Sequence, residues 1–296
     1  KTFSKVHSLY IGIGYDIAQT NNENYSFKAE GITNSNMAFM GAATSYYKGS
    51  TPYGYESTIR RIGMTGNFNY TYSERYFLDG TFKTEGSSQF GKDNRFAPFF
   101  SVGTGWNIHN EHFLKDSPVI NIARLRLSYG TSGSQSFSPY QAITSYTTID
   151  GYNFNGIYGV QMMGIGNPDL KWQKTKQWNA GIDLDLFKHR LSLNFDYYHK
   201  LTDDLLSDVN LPTAAGFSSF KSNVGQVENT GFELGGNIYV IRNSRNQLFW
   251  SVGGTMIHNK NRIKKISNYL EYINNLMAKE NSVNPSFMYK EGESIN

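Results

Sequence analysis

Hydrophobic and polar residues alternate with a period of two over stretches of roughly ten residues, and these stretches come in pairs. Residues 175–200 show the unit best. Trp178, Ala180, Ile182, Leu184 and Leu186 share one face, and Gln177, Asn179, Asp183 and Asp185 share the other. A tight corner at Lys188-His189-Arg190 follows, and then Leu191, Leu193, Phe195 and Tyr197 alternate with Ser192, Asn194 and Asp196. Strand side chains point to opposite faces in turn, so this is a hairpin with one apolar and one strongly polar surface. About ten residues is also what a tilted strand needs to cross the hydrocarbon core of a bilayer.

The unit recurs along the chain. A first strand is predicted near 8–17, with Leu9, Ile11, Ile13, Tyr15 and Ile17 on one face, and weaker strand signals follow around 24–47. A hairpin occupies 60–84. Ile62, Met64, Phe68, Tyr70 and Tyr72 lead to a turn at Ser73-Glu74-Arg75; Tyr76, Leu78, Gly80 and Phe82 lead away, with Asp79, Thr81 and Lys83 opposite. A polar loop at 84–96 precedes a strand carrying Phe100, Val102, Thr104, Trp106 and Ile108. Its return strand, after a connector at 109–120, sets Ala123, Leu125, Leu127 and Tyr129 against Arg124, Arg126 and Ser128. The longest loop is predicted at 131–171, and another runs from the 175–200 hairpin to about 226. A last hairpin carries Phe232, Leu234, Ile238 and Val240, a turn at Arg242–Asn246, then Trp250, Val252 and Met256. About ten strands result, joined by short and long connections in alternation, as in outer-membrane barrels.

Energy assigns the faces. An Arg or Lys on the lipid face near the midplane costs roughly 2–4 kcal/mol. Placing Lys83, Arg124 and Arg126 there together would be prohibitive beside a net stability of about 5–15 kcal/mol. The polar faces are therefore predicted to line a wet lumen and the Leu/Ile/Phe faces to meet lipid. A soluble β-sandwich or propeller alternates in the same way, but long strands and alternating loop lengths favour a transmembrane antiparallel β-barrel.

Composition fits. Hydrophobic residues make 39% of the 296 and the mean hydropathy is −0.50, yet a barrel wall dilutes its apolar signal because half its strand residues face a polar interior. No apolar run approaches the roughly 18 residues of a membrane helix. With 21 Tyr, 20 Phe and 4 Trp, aromatics reach 15%, which suits interfacial aromatic belts. The net charge of +4 is scattered and implies no nucleic-acid partner. Cysteine is absent, which excludes disulfides and thiolate metal sites. Lys1-Thr2-Phe3 does not open a signal peptide, so the chain is expected to be a mature fragment starting within a larger protein.

Several motifs appear in a fixed order. Asn67-Phe68-Asn69-Tyr70-Thr71-Tyr72-Ser73-Glu74-Arg75-Tyr76 is followed by Lys83-Thr84-Glu85-Gly86-Ser87-Ser88-Gln89-Phe90-Gly91. Next come Gly105-Trp106-Asn107-Ile108 with Glu111 and Phe113, then Leu125-Arg126-Leu127-Ser128-Tyr129-Gly130. Asn167-Pro168-Asp169-Leu170-Lys171-Trp172-Gln173-Lys174-Thr175 is the most specific. It leads into Gly181-Ile182-Asp183, Asp196-Tyr197-Tyr198, Thr202-Asp203-Asp204-Leu205-Leu206, Asn229-Thr230-Gly231-Phe232-Glu233 and Asn259-Lys260-Asn261-Arg262-Ile263. Over residues 60–265 this series resembles the SusC/RagA family of TonB-dependent outer-membrane importers. Lys83, Glu85 and Gln89 depart from that family's Arg, Asp and Arg.

The resemblance implies an all-β chain, with residues 1–296 forming part of the barrel domain and about half of a roughly 22-stranded wall. It implies that the family's signal peptide, plug and C-terminal strands lie outside this stretch; Glu291-Gly292-Glu293-Ser294-Ile295 resembles a motif well before its last strand. It implies a multi-pass protein of the outer membrane of a Bacteroidetes-type bacterium, importing an oligosaccharide or oligopeptide. It further implies a SusD-like surface lipoprotein as partner, contact with TonB through the missing N-terminal region, and contact with outer-membrane lipids. The alternatives are a soluble carbohydrate-binding β-protein, or a passive porin or enzyme of the outer membrane.

No catalytic residue, metal or cofactor is predicted. Tyr46, Tyr47, Tyr53, Tyr55, Tyr140, Tyr146, Tyr152 and Tyr158 are the candidate substrate contacts, because a flat face with a hydroxyl suits a sugar or a peptide. For any one of them the favoured reading is that it packs loops together or braces a partner. Asp203, Asp204 and Asp208 lack the spacing and Gly turn of a calcium loop. His109 and His112 flank Glu111 without forming H-E-x-x-H and are read as turn residues. Asp183, Asp185, Asp196 and Glu233 stand at regular lumen-facing positions and are read as channel lining, not glycosidase carboxylates.

Overall fold

The alternating stretches form strands, and each wall strand pairs with its neighbours in wall order. The computed structural model describes residues 2–3, 6–34, 36, 39–211, 213–243, 247–279 and 290–294. In chain order the first elements are β1 (Thr2–Phe3), β2 (His7–Ser26), β3 (Ala29–Glu30), β4 (Ser45–Tyr46), β5 (Tyr53–Tyr72) and β6 (Tyr76–Ser87). They are followed by β7 (Phe96–Asn107), β8 (Ile120–Ser134), β9 (Ser145–Phe154), β10 (Ile157–Gly164) and β11 (Gln173–Leu186). The last are β12 (Leu191–Asp203), β13 (Leu206–Asn210), β14 (Ser219–Asn223), β15 (Gly225–Asn243), β16 (Leu248–Ile266) and the helix α1 (Asn268–Lys279). Ten strands make one sheet in the order β1-β2-β5-β6-β7-β8-β11-β12-β15-β16. All of its pairs are antiparallel, and its two end strands do not meet.

Two differences from the sequence expectation have physical causes. First, β2 does not stop at Ile17 but runs to Ser26, paired with β5 from His7↔Tyr72 to Ser26↔Tyr53. Its distal half is polar on both faces, so the backbone ladder holds it and no hydrophobic alternation reveals it. At about 3.4 Å per residue such a 20-residue ribbon far exceeds a bilayer core and must project beyond it. Second, the long loops contain small ribbons of their own: β3–β4, β9–β10 and β13–β14. The turn expected at Arg242–Asn246 includes residues 244–246, which lie outside the described residues.

The three longest connections gather at one end of the sheet. Residues 73–75, 108–119 and 187–190 join strands at one end; residues 27–52, 88–95, 135–172 and 204–224 join them at the other. The short turns are tightly wound. Ser73 and Glu74 take φ of 50° and 56°, and Arg75 N–H closes on Tyr72 O at 2.9 Å, the I′ geometry that matches strand twist. Phe187, Lys188 and His189 all have positive φ, a left-handed run that side chains resist. Arg242 donates to Lys188 O at 2.6 Å and His189 N–H donates to Asn121 at 3.2 Å, fixing that turn from both neighbours.

The register aligns like with like. Leu9, Tyr70, Leu78, Thr104, Leu127, Ala180, Tyr197 and Phe232 form one row across eight strands. Ile13, Tyr15 and Ile17 on that face are 78%, 84% and 74% exposed. A soluble sandwich would bury them under a second sheet, and no such layer covers them among the described residues. The small buried cluster of Phe90, Ala97, Phe99 and Trp172 lies elsewhere, under the long loops. Spin labels placed singly at Leu184 and Asp183 in membrane-reconstituted protein should report opposite surroundings, oxygen-accessible for the first and open to a water-soluble relaxant for the second. Equal accessibility at the two sites would remove the membrane assignment of the faces.

Candidate functional site

The polar face is internally neutralised where charge is densest. On β8, Arg126 forks onto Asp183 of β11 through Nε and Nη2 at 2.8 and 2.9 Å, and the same Nη2 reaches both oxygens of Asp196 on β12 at 3.1 Å. Gly181 lies between them in the register, and a Cβ there would sit 2.8 Å from the guanidinium. Arg126 thus joins three strands through a bidentate pair of the geometry guanidinium favours. Asp183 and Asp196 are committed to this pairing, which supports their reading as wall lining. Lys83 and Glu85 pair at 3.2 Å on the same face.

At the short-turn end the apolar face closes with an aromatic row. Tyr72, Tyr76 and Trp106 stack at centroid distances of 6.4 and 6.2 Å. The Tyr76 hydroxyl and the Trp106 indole N–H both donate to one oxygen of Glu111, at 2.8 and 3.0 Å, and Arg75 pairs with the other at 3.3 Å. Asn107 and Asn110 donate to Glu74 O at 2.8 Å each, tying this connector to the 73–75 turn. Rings on the apolar side with polar tips turned outward are what a membrane interface selects. His112 pairs with Arg75 at 3.1 Å and His109 with the Ala123 backbone, so both are turn residues in a clasp centred on Glu111.

At the long-loop end two of the motifs dock on each other. Phe90 and Trp172 pack at 4.5 Å, with Phe99 and Phe137 edge-on around them. Trp172 donates to Arg95 O at 3.0 Å, Gly91 N–H to Leu170 O at 3.2 Å, and Asn94 to Asp169 O at 3.3 Å. A Cβ on Gly91 would stand 1.6 Å from Pro168 O, so only glycine permits the approach. Asn167 donates to Lys221 O at 3.0 Å, and Asn223 bridges the Lys171 backbone and Asp204 O. One short segment therefore fastens the 88–95, 135–172 and 204–224 loops together. Asp203, Asp204 and Asp208 do not converge on a cation; they pair separately with Lys176, Lys171 and Lys221 at 2.8–2.9 Å.

The tyrosines divide. Tyr53 and Tyr55 belong to β5, their rings 6.3 Å apart at the wall's upper end. Tyr46 packs edge-on against Phe27 in the 27–52 loop, and Tyr47 is exposed beside it. Tyr140 accepts a hydrogen bond from Thr58 N–H at 2.9 Å and braces its loop to the wall. Tyr146 and Tyr158 stand exposed on the β9–β10 ribbon, and the Tyr152 side chain lies outside the described residues. That ribbon also exposes Phe154, Ile157, Val160 and Met163, which the sequence reading passed over. Its Asn155-Gly156 corner, with φ of 51° and 82°, is a strong hairpin signal.

An open antiparallel wall with one unburied apolar face, a charge-paired opposite face and loops of alternating length defines an outer-membrane β-barrel protein. A family model of the TonB dependent receptor-like β-barrel matches residues 2–288, and the chain belongs to this family. TonB-dependent receptor P3 of Formosa agariphila is 35% identical over 88% of the chain and 26% of that protein. TonB-dependent receptor SusC of Bacteroides thetaiotaomicron is 33% identical over 73% of the chain and 22% of that protein. In a solved structure of the RagAB peptide transporter, one chain superposes with a TM-score of 0.79 at 26% identity, over 90% of this chain and 29% of that one. The chain thus spans about a quarter of the length of the curated relatives it matches, and those relatives are named as receptors, not enzymes.

Two outcomes follow from the end contacts. The Tyr76 hydroxyl, the Trp106 indole and the Arg75 charge hold the Glu111 carboxyl below its ordinary value of 4.5, against an opposing effect of burial. A carboxyl depressed in the folded state stabilises it fully above the unfolded value and ceases to do so as pH falls through the folded one. Hydrogen exchange in the 108–119 connector should therefore quicken as pH drops below the normal glutamate range, after correction for intrinsic rates. Glu111→Gln should flatten that dependence. At the other end, Trp172→Ala removes a buried indole, a change that typically costs about 3–5 kcal/mol. It should speed proteolysis within 135–172 while leaving the wall strands protected, and Gly91→Val should reproduce the effect.

Proposed function

We propose that the protein takes part in TonB-dependent import of an oligomeric nutrient, a glycan or an oligopeptide, across the outer membrane. On this reading residues 1–296 form one stretch of a single barrel domain, closed by further strands and occupied by a plug. A SusD-like surface lipoprotein caps the long-loop end, and TonB acts on a region outside this chain. The chain's own share is wall and outer loops.

The observation that carries the reading is the docking of the 83–91 and 167–175 motifs. The stretch that most resembles SusC/RagA importers is the one that fixes three outer loops in place at the base of the β9–β10 ribbon. The solved RagAB relatives, described as peptide importers, support the transport class and make peptides one of the two candidate cargoes. The exposed aromatics Tyr146, Phe154 and Tyr158 supply flat surfaces for such a cargo or for the lipoprotein. Tyr46, Tyr47, Tyr53 and Tyr55 offer a second patch, and Tyr140 serves as a brace.

The test is genetic and then biochemical. Deleting the gene should abolish growth on at least one polymeric glycan or peptide source; unchanged growth on all of them would refute import. Restoring the full-length protein with Phe154→Ser and Tyr158→Ser should weaken capture of that nutrient at least about tenfold, as loss of central aromatic anchors does. Abundance in the outer membrane should stay unchanged.

A further inference from the structure

The β13–β14 ribbon presents one unpaired backbone edge beside an apolar cavity. Its two strands pair only with each other, in the register Leu206↔Asn223 to Asn210↔Ser219. Leu211 N–H donates to Ser218 O at 2.9 Å, and Val224 N–H donates to Leu205 O at 2.8 Å. Antiparallel alternation between these bonds turns the backbone groups of Ser207 and Val209 toward β14, and those of Leu206, Asp208 and Asn210 away from it. The outer edge of β14 is engaged, because Lys221 O accepts the Asn167 amide at 3.0 Å. On β13, Leu206 N–H donates to the Gln173 side chain at 3.1 Å. The Asp208 N–H and C=O meet no partner among the described residues. Its carboxylate is held separately by Lys221 at 2.9 Å.

Residues 205–209 line one side of a cavity of about 160 Å³, and Val224, Val227, Ile263 and Leu270 close its other sides. Val209, Val224, Val227 and Ile263 are buried. Val227 continues the row of Glu233, Gly231 and Asn229 and pairs with Ile263, so the cavity lies on the bore side of the wall at its outer end. It interrupts a face that is elsewhere polar and charge-paired. An aliphatic cavity of about 150 Å³ takes a benzene-sized group, so this one has room for a single leucine or phenylalanine side chain. A sugar ring would bring in hydroxyls that such walls leave without partners.

We propose that this edge and this cavity together form a docking subsite for an extended oligopeptide that carries a large apolar residue. The peptide adds to β13 as a third strand. Its main chain exchanges hydrogen bonds with the Asp208 N–H and C=O, and one of its side chains enters the cavity. Strand addition draws affinity from the main chain and specificity from pockets that take alternate side chains. A glycan has neither a row of amides to match the edge nor an apolar group to fill the cavity. The inference rests on the import reading and narrows its two candidate cargoes to one, the peptide.

The full-length protein in detergent would be titrated with a fluorescein-labelled octapeptide of serine and threonine carrying one central phenylalanine. Replacing that phenylalanine by serine, or N-methylating alternate amides, should weaken binding about tenfold. Leu270→Trp fills the cavity from α1; it should weaken the phenylalanine peptide about tenfold and leave the serine peptide unchanged. Asp208→Pro removes the outward N–H without touching the β14 ladder and should weaken both peptides about fivefold. Asp208→Asn keeps that N–H and should bind like the parent protein. Equal affinity for the two peptides, or an unaltered affinity in Asp208→Pro, overturns the proposal. So does maltoheptaose binding that falls in the same variants, or a loss confined to association with the surface lipoprotein. If growth on a polymeric nutrient needs the gene but the phenylalanine peptide does not bind, the peptide subsite fails and the import reading stands. If the peptide binds as expected but deletion leaves growth on every source unchanged, import fails and the subsite stands.

Discussion

Everything in this wall follows from the need to satisfy backbone hydrogen bonds where there is no water. An unpaired N–H or C=O in hydrocarbon costs several kcal/mol, so each spanning strand must be laddered on both edges. The antiparallel registers do this for the inner strands β5 to β15, while β2 and β16 each keep one edge largely unpaired. Register irregularities lie near strand ends, at Asp185/Leu186, Gln226/Val227 and Tyr239/Ile241, where water can replace lost partners. Once the ladder is set, the face of every side chain is set with it. A slip by one residue would carry Arg126, Asp183 and Asp196 into lipid together.

That constraint explains why the charged groups act in pairs or forks. Inside the bore, Arg126 consumes two carboxylates from neighbouring strands. At the short-turn interface Glu111 gathers a hydroxyl, an indole and a guanidinium. At the long-loop end three aspartates are each matched to a separate lysine. These residues are partly exposed, so their Coulombic worth is modest. Their larger effect is geometric, because each fixes the height of one strand or loop relative to its neighbours.

How much of this could be read beforehand depended on which force shapes each part. Membrane-level segments such as 178–186 and 191–197 declare themselves through alternation, because lipid on one side and water on the other impose it. The distal half of β2, Gln19 to Ser26, is wet on both faces and held by β5, so no side-chain pattern marks it. The β9–β10 ribbon was legible in principle from Asn155-Gly156 between alternating flanks, and its weaker apolar contrast hid it within a long loop. Glu111 stood out only as part of a motif. Its partners Tyr76 and Arg75 lie more than thirty residues away and meet it only through the β6–β7 register.

On the import reading proposed above, the loops give one fold a way to hold its wall constant while changing what it captures. Gly91, Leu170 and Trp172 are buried and sterically exact, so substitution there would loosen three loops at once. The β9–β10 ribbon carries its own I′ corner and its own ladder, and needs nothing from the staple except an anchored base. Apolar side chains left exposed on such a ribbon gain about 25 cal/mol per Å² when a partner covers them. Substitution at Phe154, Ile157 or Tyr158 would redirect that gain toward another ligand without disturbing the wall. On the import reading proposed above, recognition falls where the backbone is autonomous, and steric constraint is confined to the few contacts that hold its base.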